Sequence, residues 1–226
     1  MTMITLSASF TSNYPGAAIG VLAMENVSNP KSDEALSQRK SELETDLRTR
    51  FGGYDRKELL DHPILAIYQS YYKRFKKTYH VQLQLESIVF KGKSIPNVAA
   101  LVESMFMAEL DNLLLTAGHD LDMVELPIVA DIADGDETYT KISIQDQTLK
   151  SNDMYIRDTA GILSSVIYGP DARTKINPET TRVLYTTYAP AGIPQELLTK
   201  HLQGITEIVQ IFAPDATIFF NQVLTA

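Results

Sequence analysis

His119 is the residue in this chain best suited to acid–base work. It lies in the run Ala117–Val124 (AGHDLDMV), with Asp120 beside it and Asp122 three residues on. A histidine titrates near neutrality, so it can orient a water or donate to a developing oxyanion. The same residues also suit a surface Gly-His-Asp turn, with the imidazole held by Asp120 or Asp122. A second group of candidates lies between two apolar, β-branched runs, Ile162–Tyr168 and Arg182–Tyr188. The segment between them (GPDARTKINPETT) carries Asp171, Arg173, Lys175, Glu179, Thr180 and Thr181. Gly169 and Pro170 end the first run, and Asn177-Pro178-Glu179-Thr180 marks a turn before the second. The runs are predicted to form a rigid pair of strands holding up a binding loop. Thr180, Thr181 and Thr186 offer hydroxyls to a ligand. Arg173 and Lys175 suit a carboxylate or phosphate, and equally suit solvated surface cations.

Other chemistries find no support. His62, His80 and His201 are not at ligand spacing from His119, and Asp120, Asp122 and Glu125 lack the repeat of a calcium loop, so no metal is expected. There is no Gly-rich phosphate loop, no Gly-x-Ser-x-Gly elbow and no His-Glu-x-x-His helix. With no cysteine in 226 residues, disulfides, thiolate catalysis and Cys-ligated zinc are excluded, which fits a reducing compartment.

The elements that must position these groups are read from periodicity. Met3–Phe10 is predicted to be a strand and Ala17–Met24 a buried one. Ser32 is placed to cap a charged, largely solvated helix reaching about Arg50. Asp61 and Pro63 open another, with Ile64, Ile67, Tyr68, Tyr71 and Phe75 at helical spacing. It ends in the basic cluster Lys73, Arg74, Lys76 and Lys77. Preceded by Tyr71 and Tyr72, that cluster suits an RNA backbone with aromatic support, and also a helix C-terminus answering its own dipole. Val81–Leu85 alternates like a strand. Pro96 opens a helix to about Leu110. Ile128–Ile132 and Tyr139–Ile144 read as strands joined through the acidic turn Asp134-Gly135-Asp136, and Met154–Arg157 as a short strand. Pro194 begins an amphipathic helix in which Leu198, Leu202, Ile205, Val209 and Phe212 step by four and three, and Ala216–Val223 closes as a strand. The mixed order predicts an α+β fold, in one compact unit without a linker.

The net charge is −8. Between Glu103 and Asp158 there are 13 acidic residues against 3 basic ones, which leaves the remainder at +2. Such an acidic middle is a poor surface for nucleic acid, so phosphate contacts are expected outside it. The N-terminal run MTMITLSASF lacks a basic region before an apolar core, and no apolar run approaches the ~20 residues of a membrane span. A cytoplasmic protein without a membrane partner is expected.

Three segments, in this order, resemble the B3/B4 editing module of the phenylalanyl-tRNA synthetase β subunit: SIPNVAALVESMF (Ser94–Phe106), AGHDLDMV (Ala117–Val124) and Arg157–Tyr188. The resemblance spans Tyr71–Ala213. It implies a B3/B4-like body of layered sheets and helices over residues 71–226, with an N-terminal α/β extension, residues 1–70, packed on it. The function implied is that of a free-standing aminoacyl-tRNA binding or editing protein, which hydrolyses a misacylated ester by water attack with help from a ribose hydroxyl. His119, Gly169 and Thr181 would be its catalytic pocket residues, with Asp122 orienting His119. Asn112, Asp122, Arg173, Thr180 and Thr186 would meet the substrate, and Tyr72, Lys73, Arg74, Lys76 and Lys77 the RNA. No cofactor is implied, and the partner would be tRNA or the aminoacyl-tRNA 3′ end, not DNA. The chain departs from the family where Pro170 removes an N–H beside Gly169. Asn112 lies closer to His119 than the family's Asn. Thr186 stands where the family has the Glu that recognises a tyrosine hydroxyl, so tyrosine loses its acceptor. The alternative is a non-catalytic RNA-, amino-acid- or protein-binding module on the same fold.

Overall fold

The computed structural model describes residues 3–226; Met1 and Thr2 of the expected N-terminal extension lie outside the described residues. The fold is α+β. Two sheets share one hydrophobic core. In the first, β1 (Ile4–Leu6) runs parallel to β4 (Ile128–Ile132), and β7 (Met154–Arg157), β8 (Ile162–Ser165) and β9 (Gly169–Pro170) follow antiparallel. The second has the order β11 (Thr217–Thr225), β2 (Ala18–Glu25), β10 (Arg182–Ala189), β3 (Leu115–Asp120), all antiparallel. A small ribbon pairs β5 (Thr138–Thr140) with β6 (Asp146–Thr148). The division expected near residue 70 is not a division in the sheets, because β2 lies between β11 and β10.

Local chemistry sets the ends of these elements. The strand expected over Met3–Phe10 stops at Leu6, because Ser7 Oγ accepts the Phe10 N–H at 2.9 Å and caps a short helix, α1 (Ala8–Asn13). Asp33, one residue after Ser32, caps α2 (Glu34–Phe51) through the Leu36 N–H at 2.8 Å. Asp61 ends α3 (Arg56–Leu60) instead of capping α4 (Pro63–Arg74), which starts on Pro63 after His62. The strand expected over Val81–Leu85 is instead part of α5 (His80–Lys91). Val81, Leu85 and Ile88 are buried at helical spacing, while Leu83 is 44% exposed. Helix α6 (Ala100–Asn112) begins four residues later than Pro96, and α7 (Gln195–Phe212) follows Pro194 as its apolar stripe requires.

Two expected pairings do not form. Strands β4 and β5 are in different sheets; the turn between them is closed by Glu137, whose carboxylate accepts the Asp134 and Gly135 N–H groups at 2.8 and 3.0 Å. Nor do the runs holding β8 and β10 pair with one another, since each belongs to a different sheet. The loop between them therefore crosses from one sheet to the other, over the open edge of β3.

Candidate functional site

That crossing encloses a cavity of about 560 Å³. It runs along the outer edge of β3, with α6 on one side and the β8–β9 turn on the other. Val102, Met105 and Phe106 line it from α6, and Val166 and Ile176 line it opposite. The volume and the mostly apolar wall are those of a small-molecule site. A hollow of about 600 Å³ beside Arg50 and Asp61 differs in kind, because every residue lining it is exposed.

A few polar groups converge on this apolar space. Glu109 is buried at 1% exposure. Its Oε1 accepts the Thr116 N–H at 2.8 Å, and among the described residues its Oε2 has no partner. Burial pushes its pKa up to about 8, against the Thr116 N–H, which favours the anion. Gly169 adopts φ +78°, and a Cβ there would meet nothing within 4 Å, so its backbone faces open space. Its carbonyl accepts the Tyr139 hydroxyl at 2.7 Å. Lys175, His80, Ser165 and Tyr188 also line it.

His119 stands behind this wall, not in it. It is wholly buried. Thr174 gives its hydroxyl proton to Asp171, so Thr174 Oγ accepts from His119 Nδ1 at 2.7 Å. The other ring nitrogen then accepts from Ser164 Oγ at 3.3 Å, and Ser164 Oγ lies 2.7 Å from the Tyr188 hydroxyl. Burial, with Arg173 nearby, lowers the His119 pKa to about 3. At neutral pH the ring is an uncharged tie between β3, β8 and the 171–174 loop, without access to a ligand. The partners expected to hold it, Asp120 and Asp122, do other things. Asp122 is exposed and pairs with Arg182 at 2.9 Å. Asp120 accepts from Asn177 at 3.0 Å and from Thr180 at 2.8 Å.

The remaining candidates disperse. Thr180 is buried in that Asp120 contact, Thr181 is exposed outside the cavity, and Thr186 lies inside the sheet, its hydroxyl without a partner among the described residues. Asn112 sits at the end of α6, away from His119, its amide on the Ala108 carbonyl at 3.4 Å. Arg173 Nη2 meets both Asp158 carboxylate oxygens at 2.9 Å and Nη1 donates to the Met123 carbonyl at 2.6 Å, so its guanidinium is committed to acceptors of the protein itself. Tyr72 is core, its hydroxyl on the Val166 carbonyl at 2.8 Å. Arg74 stacks on Tyr71 at 4.5 Å and on Tyr14 at 5.2 Å. Lys73, Lys76 and Lys77 are exposed, and Lys77 is three residues from His80 on the cavity wall.

The architecture is similar to that of a solved synthetase fragment. The chain matches, over 100% of its length, the crystal structure of an N-terminal fragment of the phenylalanyl-tRNA synthetase β-subunit from Pyrococcus horikoshii, with a TM-score of 0.51 and 11% identity. It spans 55% of that fragment. At this identity the likeness is one of fold, and the expected relation to the synthetase β subunit is met at that level. No family model and no curated protein matches the sequence. No described helix is long and apolar enough to cross a membrane.

Of the residues singled out from sequence, Gly169 and Lys175 line the cavity and His119 supports it. Glu109, Gly118 and Tyr188 were missed. A signal for Glu109 existed: Val102, Met105, Phe106 and Glu109 recur at three and four residues, so the acid continues an apolar helix face.

Proposed function

We propose that this chain binds the aminoacyl-adenosine end of a tRNA in the cavity along β3, on a B3/B4-like body, as a binding module. The observation that carries this reading is a 560 Å³ apolar cavity holding a buried carboxyl with an unpaired oxygen. The fold likeness to a tRNA synthetase fragment supports the choice of ligand. Lys73, Lys76 and Lys77 supply phosphate contacts on the approach to His80, while Tyr72, enclosed in the core, does not. Gly169 and Lys175 bound the ligand, and His119 holds the wall in place. Thr181, outside the cavity, takes no part.

Filter binding tests this with one tRNA, intact and trimmed of its terminal adenosine, over a range of salt. Intact tRNA is expected to bind about tenfold tighter or more. The triple variant Lys73→Glu, Lys76→Glu, Lys77→Glu is expected to weaken both forms and flatten their salt dependence. Equal affinities for the two forms would overturn the reading, and steady release of amino acid from charged tRNA would replace it with a hydrolytic one.

A further inference from the structure

The edge of β3 is open for only a short stretch, and that stretch has a readable pattern. Thr116 and Asp120 both send their N–H groups away from β10, to Glu109 Oε1 at 2.8 Å and to the Thr174 carbonyl at 2.7 Å. In an antiparallel strand the N–H and C=O of one residue point to the same side, and the side alternates with each residue. Thr116, Gly118 and Asp120, opposite Thr187, Tyr185 and Val183, therefore all face outward. Glu109 covers one end of this edge and the 174–176 loop the other. Between them the Thr116 C=O and the Gly118 N–H lie on the same edge either side of Ala117, and among the described residues neither has a partner across the edge. Both residues line the cavity.

An acceptor beside a donor, in a slot between apolar walls, fits a flat ring that carries a donor beside an acceptor. The carboxyl of Glu109 is fixed next to Thr116, its Oε2 buried and unpaired. We propose that the β3 edge reads an adenine ring: the Thr116 C=O accepts from the exocyclic N6–H, the Gly118 N–H donates to N1, and Glu109 Oε2 meets N7. Phe106 and Tyr188 offer aromatic surface to the ring, and Val102 and Ile176 the rest of the slot. Lys175 lies on the wall for a phosphate or a ribose substituent. Adenine is a deepening of the tRNA-end reading and rests on it for its source. The same ring on a free nucleotide would fit the slot, and the assays separate the two.

N7 is an acceptor, so the contact requires Glu109 to hold its proton. Burial supplies that proton at neutral pH, with the pKa raised to about 8. The titratable groups around the carboxyl are Tyr68 and Tyr72 on α4 and Tyr79 before α5, and His80 and Lys175 share the cavity. The tyrosines are all pushed above their ordinary range, so they stay neutral here.

The test is calorimetric titration of the full chain with adenosine, inosine, 7-deazaadenosine and AMP. Adenosine is expected to bind, and inosine, whose 6-oxo group and N1–H invert the pattern, to bind about tenfold more weakly or worse. 7-Deazaadenosine, with carbon in place of N7, is expected to lose several-fold, and Glu109→Leu to bring adenosine down to the same level. Glu109→Gln keeps a donor and is expected to keep most of the affinity. Above pH 8 adenosine should weaken as Glu109 ionises, while 7-deazaadenosine should not. Equal binding of adenosine and inosine by the wild type overturns the assignment, whatever the variants do. If adenosine fails while intact tRNA still outbinds trimmed tRNA, the adenine assignment falls and the tRNA-end reading stands. If AMP binds and the two tRNAs tie, the source is a free nucleotide.

Discussion

His119 shows how a residue with catalytic chemistry becomes structural. Both ring nitrogens are satisfied by hydroxyls, through Thr174 and Ser164, and the ring has no exposed surface. The sequence offered it as either an acid–base group or a surface turn, and the structure makes it neither. No local pattern could reveal this, because its partners lie 55 and 45 residues away. His119→Leu would leave the buried Thr174 and Ser164 hydroxyls each with one partner fewer. It is expected to lower stability by about 1–3 kcal/mol in urea unfolding, while affinity for the tRNA end below the unfolding transition stays within about twofold of wild type. A loss of binding larger than the loss of folded protein would return His119 to the site itself.

At the scale of elements, α6 was legible and its surroundings less so. Its apolar face was visible in Leu101, Val102 and Met105, but the same sequence reading placed α2 in solvent. In the fold α2 docks on α5, α6 and α7. Lys40 is buried and sits 2.6 Å from Glu103 Oε2, whose other oxygen accepts the Val98 N–H at 2.9 Å. Glu44 likewise accepts the Ile95 N–H at 2.7 Å. Charged residues at these positions look like solvent-facing ones until their partners are known, because the helical period marks only the apolar stripe. Val81–Leu85 failed for a related reason, since a short alternating run fits either period when only a few residues are counted. Lys40→Met would strand Glu103 in the interior. It is expected to cost about 3–5 kcal/mol, read as a lower urea midpoint, and a change below about 1 kcal/mol would show that the pair contributes little to holding α2 on α6.

For the whole molecule, buried titratable groups of two kinds set the pH range of stability. Burial holds His119 and His201 near pKa 3, against an ordinary 6.5. It raises Glu109 from 4.5 to about 8 and Asp153 from 3.8 to about 7. Below pH 6.5 the unfolded chain takes up protons that the folded histidines refuse, so their contribution is lost as pH falls toward 3. The carboxyls act oppositely: the folded chain keeps protons that the unfolded chain has released, and their contribution is lost as pH rises toward 8. The urea midpoint is therefore expected to be nearly flat from pH 4.5 to 6.5, where the slopes oppose, and to fall on either side. A steady rise from pH 5 to 8 would contradict these burial effects. The α+β class and most strands were readable from periodicity, but the cavity was not, since it arises only when the loop after β9 crosses between the sheets. The proposed binding depends on that cavity, so filling it should abolish recognition of the tRNA end. The measurement is the ratio of affinities for intact and terminally trimmed tRNA in wild type and in Val102→Trp, with folding checked by circular dichroism. A ratio of about ten or more is expected in wild type, collapsing to about one in the variant. A ratio near one in wild type, or one that survives the tryptophan, would contradict it.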